Sequence, residues 1–107
     1  MNKYSNTLII TAFLLVFSAV AFAQSGANIS GKVTFTENQT PLHNATVQIV
    51  QLKRTVETED DGTYRFENVP PGRYTILAHF DGFSDSAKTV VLVSGANAAI
   101  DFNLQLV

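Results

Sequence analysis

The chain contains no cysteine and no tryptophan, one methionine, three prolines and two histidines among its 107 residues. Without cysteine there is no disulfide, no thiol nucleophile and no thiolate metal ligand. A catalytic zinc site takes about three protein ligands and keeps one position open. His43 is followed by Asn44-Ala45-Thr46 and His79 by Phe80-Asp81-Gly82, so neither starts a His-x-x-Glu pair. Both read as surface residues. No serine stands in a Gly-x-Ser-x-Gly setting, and no glycine-rich phosphate loop is present. Cations are also few and scattered: seven Lys and Arg against nine Asp and Glu give a net charge of −2. A mildly acidic chain of this kind is a poor nucleic-acid binder. Beyond residue 23 no segment carries a helical period.

What is present begins with an address. Lys3 precedes an apolar run of 15 residues, Leu8–Phe22, interrupted only by Thr11 and Ser18. A membrane-spanning helix needs roughly 20 such residues. Ala21-Phe22-Ala23 puts small side chains at the two positions a signal peptidase reads, so Met1–Ala23 is expected to be a secretory signal peptide cut between Ala23 and Gln24. No cysteine follows the small residues, which excludes a lipoprotein anchor. Removal leaves 84 residues with six cations and nine carboxylates, a net charge of −3. That length suits one small domain, here 28–107 after a short lead of 24–27, with no membrane span in the mature chain. A small exported domain without disulfide staples fits a bacterial protein that is periplasmic, outer-membrane associated or secreted.

The mature part alternates apolar and polar residues along most of its length. Ile29, Gly31, Val33 and Phe35 share one face, as do Ala45, Val47 and Ile49. Lys53–Thr58 is more polar and reads as an edge strand. Asp61-Gly62 supplies the positive φ of a tight turn, after which Tyr64 and Phe66 point inward. Pro70-Pro71-Gly72 interrupts the ladder, because neither proline has an N–H to donate. Tyr74, Ile76, Ala78 and Phe80 resume it, so residues 60–83 read as a β-meander. Ser84–Val93 follows. The last strand takes Ala98, Ile100, Phe102, Leu104 and Leu106 inward. Seven short strands with turn signals every eight to twelve residues predict an all-β antiparallel sandwich.

Several spaced motifs carry a resemblance: Ile29-Ser30-Gly31-Lys32-Val33, Pro41-Leu42, Ala45-Thr46-Val47, Thr58 through Phe66, Val69-Pro70-Pro71-Gly72-Arg73-Tyr74 and Gly82-Phe83. In this order they resemble the carboxypeptidase regulatory-like domain, a seven-stranded transthyretin-like sandwich, over about residues 28–106. Asn44 stands where the family usually has glycine before Ala-Thr-Val, and asparagine tolerates the left-handed backbone. The resemblance implies a module, usually non-catalytic, found at the N-terminus of TonB-dependent outer-membrane transporters, in secreted peptidases and in surface proteins. It also implies kinship with carbohydrate-binding sandwiches. Shared fold does not establish an activity.

Candidate sites are sparse. Glu57, Glu59, Asp60 and Asp61 cluster, but without the ligand spacing of a calcium loop they read as a solvated turn. Sugar binding would need an exposed ring. Phe35, Tyr64, Phe66, Tyr74, Phe80 and Phe102 all fall in inward phase, which leaves Phe83 as the possible ligand contact. Three glycosylation sequons, at Asn28, Asn38 and Asn44, are chance matches in a bacterial chain. The chain is also similar to collagen-adhesin repeats that link a first-strand lysine to a last-strand asparagine. Here Asn103 and Lys32 are outward, Thr36 stands near the lysine's place and Ala78 near the acid's, so no isopeptide bond is expected. The expected function is therefore an exported, non-catalytic accessory module without a cofactor or metal, whose partner at the cell envelope is a protein or a glycan. The first context is the N-terminal domain of a TonB-dependent transporter. The alternatives are a carbohydrate-binding module and a regulatory piece of a secreted carboxypeptidase. The chain is expected to be either a standalone secreted sandwich or the first domain of a longer protein, and Val107, which ends an alternating strand without a polar tail, leans slightly toward the second.

Overall fold

The computed structural model describes residues 25–107, so the signal segment and its Ala23–Gln24 cleavage point lie outside the described residues. The strands are β1 Ala27–Phe35, β2 Thr46–Ile49, β3 Arg54–Glu57, β4 Thr63–Val69, β5 Gly72–His79, β6 Ser86–Leu92, β7 Asn97–Ala99 and β8 Phe102–Leu104, with a single 3₁₀ turn at Val50–Leu52. They form two sheets. One has the order β4-β1-β7 with β8 also on β1, and the other has the order β3-β2-β5-β6. The fold is the expected all-β sandwich.

The count of seven strands survives in a modified form. β7 and β8 lie against β1 in one unbroken register, from Asn28↔Asn97 and Ser30↔Ala99 to Val33↔Phe102 and Phe35↔Leu104. They are two halves of the predicted last strand. The break comes at Ile100-Asp101, where the Asp101 carboxylate, 2.9 Å away, accepts the Lys32 N–H that a backbone carbonyl would otherwise take. The Ile100 carbonyl turns inward to accept from the Tyr64 hydroxyl. This last strand runs parallel to β1, while every other strand pairing is antiparallel.

Residues 60–83 do not form a meander. β4 belongs to the first sheet and β5 to the second, so both the Asp61-Gly62 and the Pro70-Pro71-Gly72 turns carry the chain between sheets. The Tyr74 hydroxyl donates to the Pro70 carbonyl at 2.7 Å and fixes the second crossing. Arg54 reaches across from β3 to donate to the Glu67 carbonyl at 2.9 Å.

The core is the set of inward faces. Ile29, Val33, Val47, Ile49, Phe66, Ile76, Phe102 and Leu104 are essentially inaccessible. Burial of these side chains is the main favourable contribution to folding, at about 25 cal/mol per Å² of apolar surface. Leu106 departs from its inward expectation and is 59% exposed, because the chain has passed the end of β1 and pairs instead with Phe83. The one buried polar residue among the described ones is Thr58. Its hydroxyl donates to the Leu42 carbonyl and accepts the Ala45 N–H at 2.9 Å, tying down the loop that contains Asn44.

Candidate functional site

One end of the sandwich gathers the chain's two histidines and the less buried rings of the described residues. β5 ends at His79, and a turn through Phe80–Asp85 leads to β6. Phe83, the predicted ligand contact, is half-buried there. Its ring meets Phe35 edge-on at 5.2 Å and Phe80 at 5.4 Å between centroids, so packing and not solvent holds most of its surface. Its backbone bridges to Leu106, flanked by Ser84 N–H to Gln105 carbonyl at 2.7 Å and Val107 N–H to Gly82 carbonyl at 3.1 Å. Phe35 and Phe80 are likewise only partly buried, while Tyr64, Phe66, Tyr74 and Phe102 are buried as their phase requires.

Beside this cluster lies a groove of about 370 Å³ lined by His43, Asn44, Thr46, His79, Phe80 and Asp81. Both histidines are about half exposed, in agreement with their surface reading. His43 Nδ1 stands 3.2 Å from Asp60. His79 is held at both ring nitrogens: Nδ1 is 2.6 Å from Asp85 and Nε2 is 3.1 Å from Asp81. Carboxylates only accept, so the imidazole satisfies both contacts at once only when it carries two protons. The bond to Asp85 first, and that to Asp81 second, raise the His79 pKa above its ordinary value. Strand periodicity marked His79 as outward. It gave no sign of the two acids, which reach it from a turn.

A second and larger groove, about 720 Å³, opens between the β3 and β4 edges. Lys32, Glu57, Glu59, Thr63, Tyr64 and Arg65 are among its lining residues. Its charges are mixed, and Arg65 is paired with Glu67 at 2.9 Å. The Tyr64 hydroxyl at its floor is already bonded to the Ile100 carbonyl, and burial pushes that phenol's pKa up. The acidic cluster behaves as a turn. Asp61 accepts from the Thr63 N–H and hydroxyl at 3.1 and 2.6 Å, which lowers its pKa. Among the described residues no three His, Asp or Glu side chains converge as metal ligands. No helix among them is long and apolar enough to cross a membrane. These grooves can hold a polar ligand or a partner chain; neither assembles a nucleophile with a base.

Comparison with known proteins agrees with this geometry. Residues 28–105 match the model of the carboxypeptidase regulatory-like domain. A TonB-dependent transporter, Oar of Myxococcus xanthus, is 31% identical over 104 residues; the match takes in 94% of this chain and 10% of the transporter. The chain thus spans a tenth of that relative. Among solved structures, the Bacillus anthracis TIE protein superposes with a TM-score of 0.65 at 21% identity, over 78% of this chain and 17% of the other. A cohesin–X-dockerin complex of Acetivibrio cellulolyticus gives 0.62 at 17%, over 76% and 58%. A Bacteroides uniformis protein described as a candidate carbohydrate binder gives 0.56 at 16%, over 75% and 41%. These structural likenesses establish the sandwich fold.

Proposed function

This chain belongs to the carboxypeptidase regulatory-like domain family, and from that premise we propose that it is an exported, non-catalytic accessory module of a TonB-dependent outer-membrane transporter or a related surface system. One observation carries the reading: nearly the whole chain aligns with a small fraction of a transporter. That is the relation of a module to a machine. The site chemistry is consistent with it, since grooves lined by paired charges and packed rings suit docking.

A glycan partner is the second reading. The groove that joins Phe80 to His43, Asn44 and Asp81 supports it, because sugar recognition combines one apolar ring with several directional polar groups. A role as the regulatory piece of a secreted carboxypeptidase rests on the family alone.

The test is cross-linking in cells followed by fractionation of the envelope. The protein should be recovered from the outer-membrane fraction, linked to a transporter. Recovery only as a free secreted protein that binds defined glycans on an array would replace the first reading with the second.

A further inference from the structure

The second sheet ends in a strand with an open outer edge. β6 pairs with β5 without a bulge, from Gly72↔Leu92 to Ala78↔Ser86. Among the described residues, no backbone group of Ser86–Leu92 has a hydrogen-bond partner beyond β5. We propose that β6 is a self-pairing edge, and that the protein forms a weak two-fold dimer by adding β6 antiparallel to β6 of a second copy.

Free edges are normally blunted by charge, proline or a bulge. The other edges are blunted in these or similar ways: β3 carries Arg54 and Glu57, β4 carries Arg65 and Glu67, and the last strand's edge is split at Ile100-Asp101 into two three-residue pieces, β7 and β8. β6 has no proline and a single charge, Lys88, which is exposed but on the same face as its partner Ile76, and whose side chain reaches across to β8 rather than out along the free edge. Its Nζ donates to the Asp101 carbonyl and lies 5.5 Å from the centre of the Phe102 ring. The outer face is apolar instead. Val91 is 68% exposed and Val93, just past the strand, is 65% exposed.

The occupant follows from the strand's own sequence. A two-fold axis at Val90 sets Thr89 opposite Val91 of the second copy, Ala87 opposite Val93 and Lys88 opposite Leu92. No charge meets a like charge. Each valine on the outer face finds a small or β-branched neighbour, the kind of cross-strand pair that stabilises antiparallel ladders. A different partner would have to supply that complement, whereas a second copy brings it. One edge of seven residues covers far less than the roughly 1,200 Å² of a stable interface, so the dimer is a weak one. The inference does not depend on the transporter reading.

Sedimentation of the exported protein from about 10 μM to about 1 mM, the range for weak pairing, tests it. The average mass should climb toward twice the monomer. Val91→Lys and Val93→Lys should each stay monomeric with an unchanged far-UV spectrum, while Val50→Lys, at an exposed valine in the 3₁₀ turn between β2 and β3 and off the β6 edge, should dimerise as before. In a mixture of differently labelled copies, Thr89 should show contacts to Val91 of the other copy. A monomer at every concentration would overturn the proposal. So would a dimer that survives both lysines, or protection of β6 amides only when a different envelope protein is added.

Discussion

Gly62 shows how one residue can decide a crossing between sheets. Its φ is +79°, and an added Cβ would stand 2.7 Å from the Val33 carbonyl oxygen and 3.1 Å from Pro41 Cβ. A β-branched side chain meets both the left-handed penalty of about 1–2 kcal/mol and a contact that backbone cannot relieve. Gly62→Val should therefore lower the thermal midpoint by roughly 5–15 °C for a domain of this size, measured by circular dichroism. An unchanged midpoint would refute the turn assignment. Gly31 is bound more tightly still, since a Cβ there would fall 1.8 Å from the Ile100 carbonyl oxygen. Asn44, which replaces the family's usual glycine, adopts φ +62° as its side chain permits. The positive φ at Gly62 was legible because turn chemistry is local, and the one at Asn44 because the resembling family usually has glycine there. The need for glycine at Gly31 was not, because it arises from a carbonyl 69 residues away.

At the scale of elements, alternation foretold which faces are buried and the polar edge strand β3. It could not say which strands pair. Period two is the same whether a turn returns the chain to its own sheet or sends it to the opposite one, and so β4 and β5 read as neighbours. Only the paired prolines hint at the crossing. Nor could alternation see that Asp101 would stand in for backbone and split the last strand. The candidate end was half legible: Phe83 stood out as a ring off the core phase, but its packing on Phe35 and Phe80 is tertiary. The latch joining β5 to the approach of β6 was hidden for the same reason. His79 grips Asp85 and Asp81 together, and its pKa is raised by those bonds. A raised folded-state pKa gives stabilisation that is complete below the ordinary histidine value of 6.5 and fades as pH climbs through the raised one. Wild type should thus exceed His79→Gln in thermal midpoint in mildly acid buffer, and the gap should close in alkaline buffer. Because the groups are exposed, the effect should be small and weakened by salt. A gap that is flat across that range, or widens with pH, would show that the latch contributes nothing.

For the whole molecule, the question is what part of the chain works as the folded module. The described sandwich begins with β1 at Ala27, and the family match spans residues 28–105. Ser25 already belongs to the structure: its N–H donates to the Ser94 hydroxyl at 3.1 Å, and its carbonyl accepts from that hydroxyl at 2.8 Å. The expected cleavage between Ala23 and Gln24 therefore falls just before the first tertiary contact among the described residues. A cut there would leave every described hydrogen bond intact. A cut a few residues later would remove the clasp between Ser25 and the β6–β7 turn. Ala27, fully buried in β1, marks the far limit of tolerable trimming. On this reading, tandem mass spectrometry of the exported protein should find an N-terminal peptide beginning at Gln24, either free or cyclised to the pyroglutamyl form that N-terminal glutamine readily adopts. Replacing Ala21 and Ala23 by bulky residues should block processing and hold the protein at the inner membrane. An exported protein that still starts at Met1, or one trimmed beyond Ala27, would mean that the address was misread.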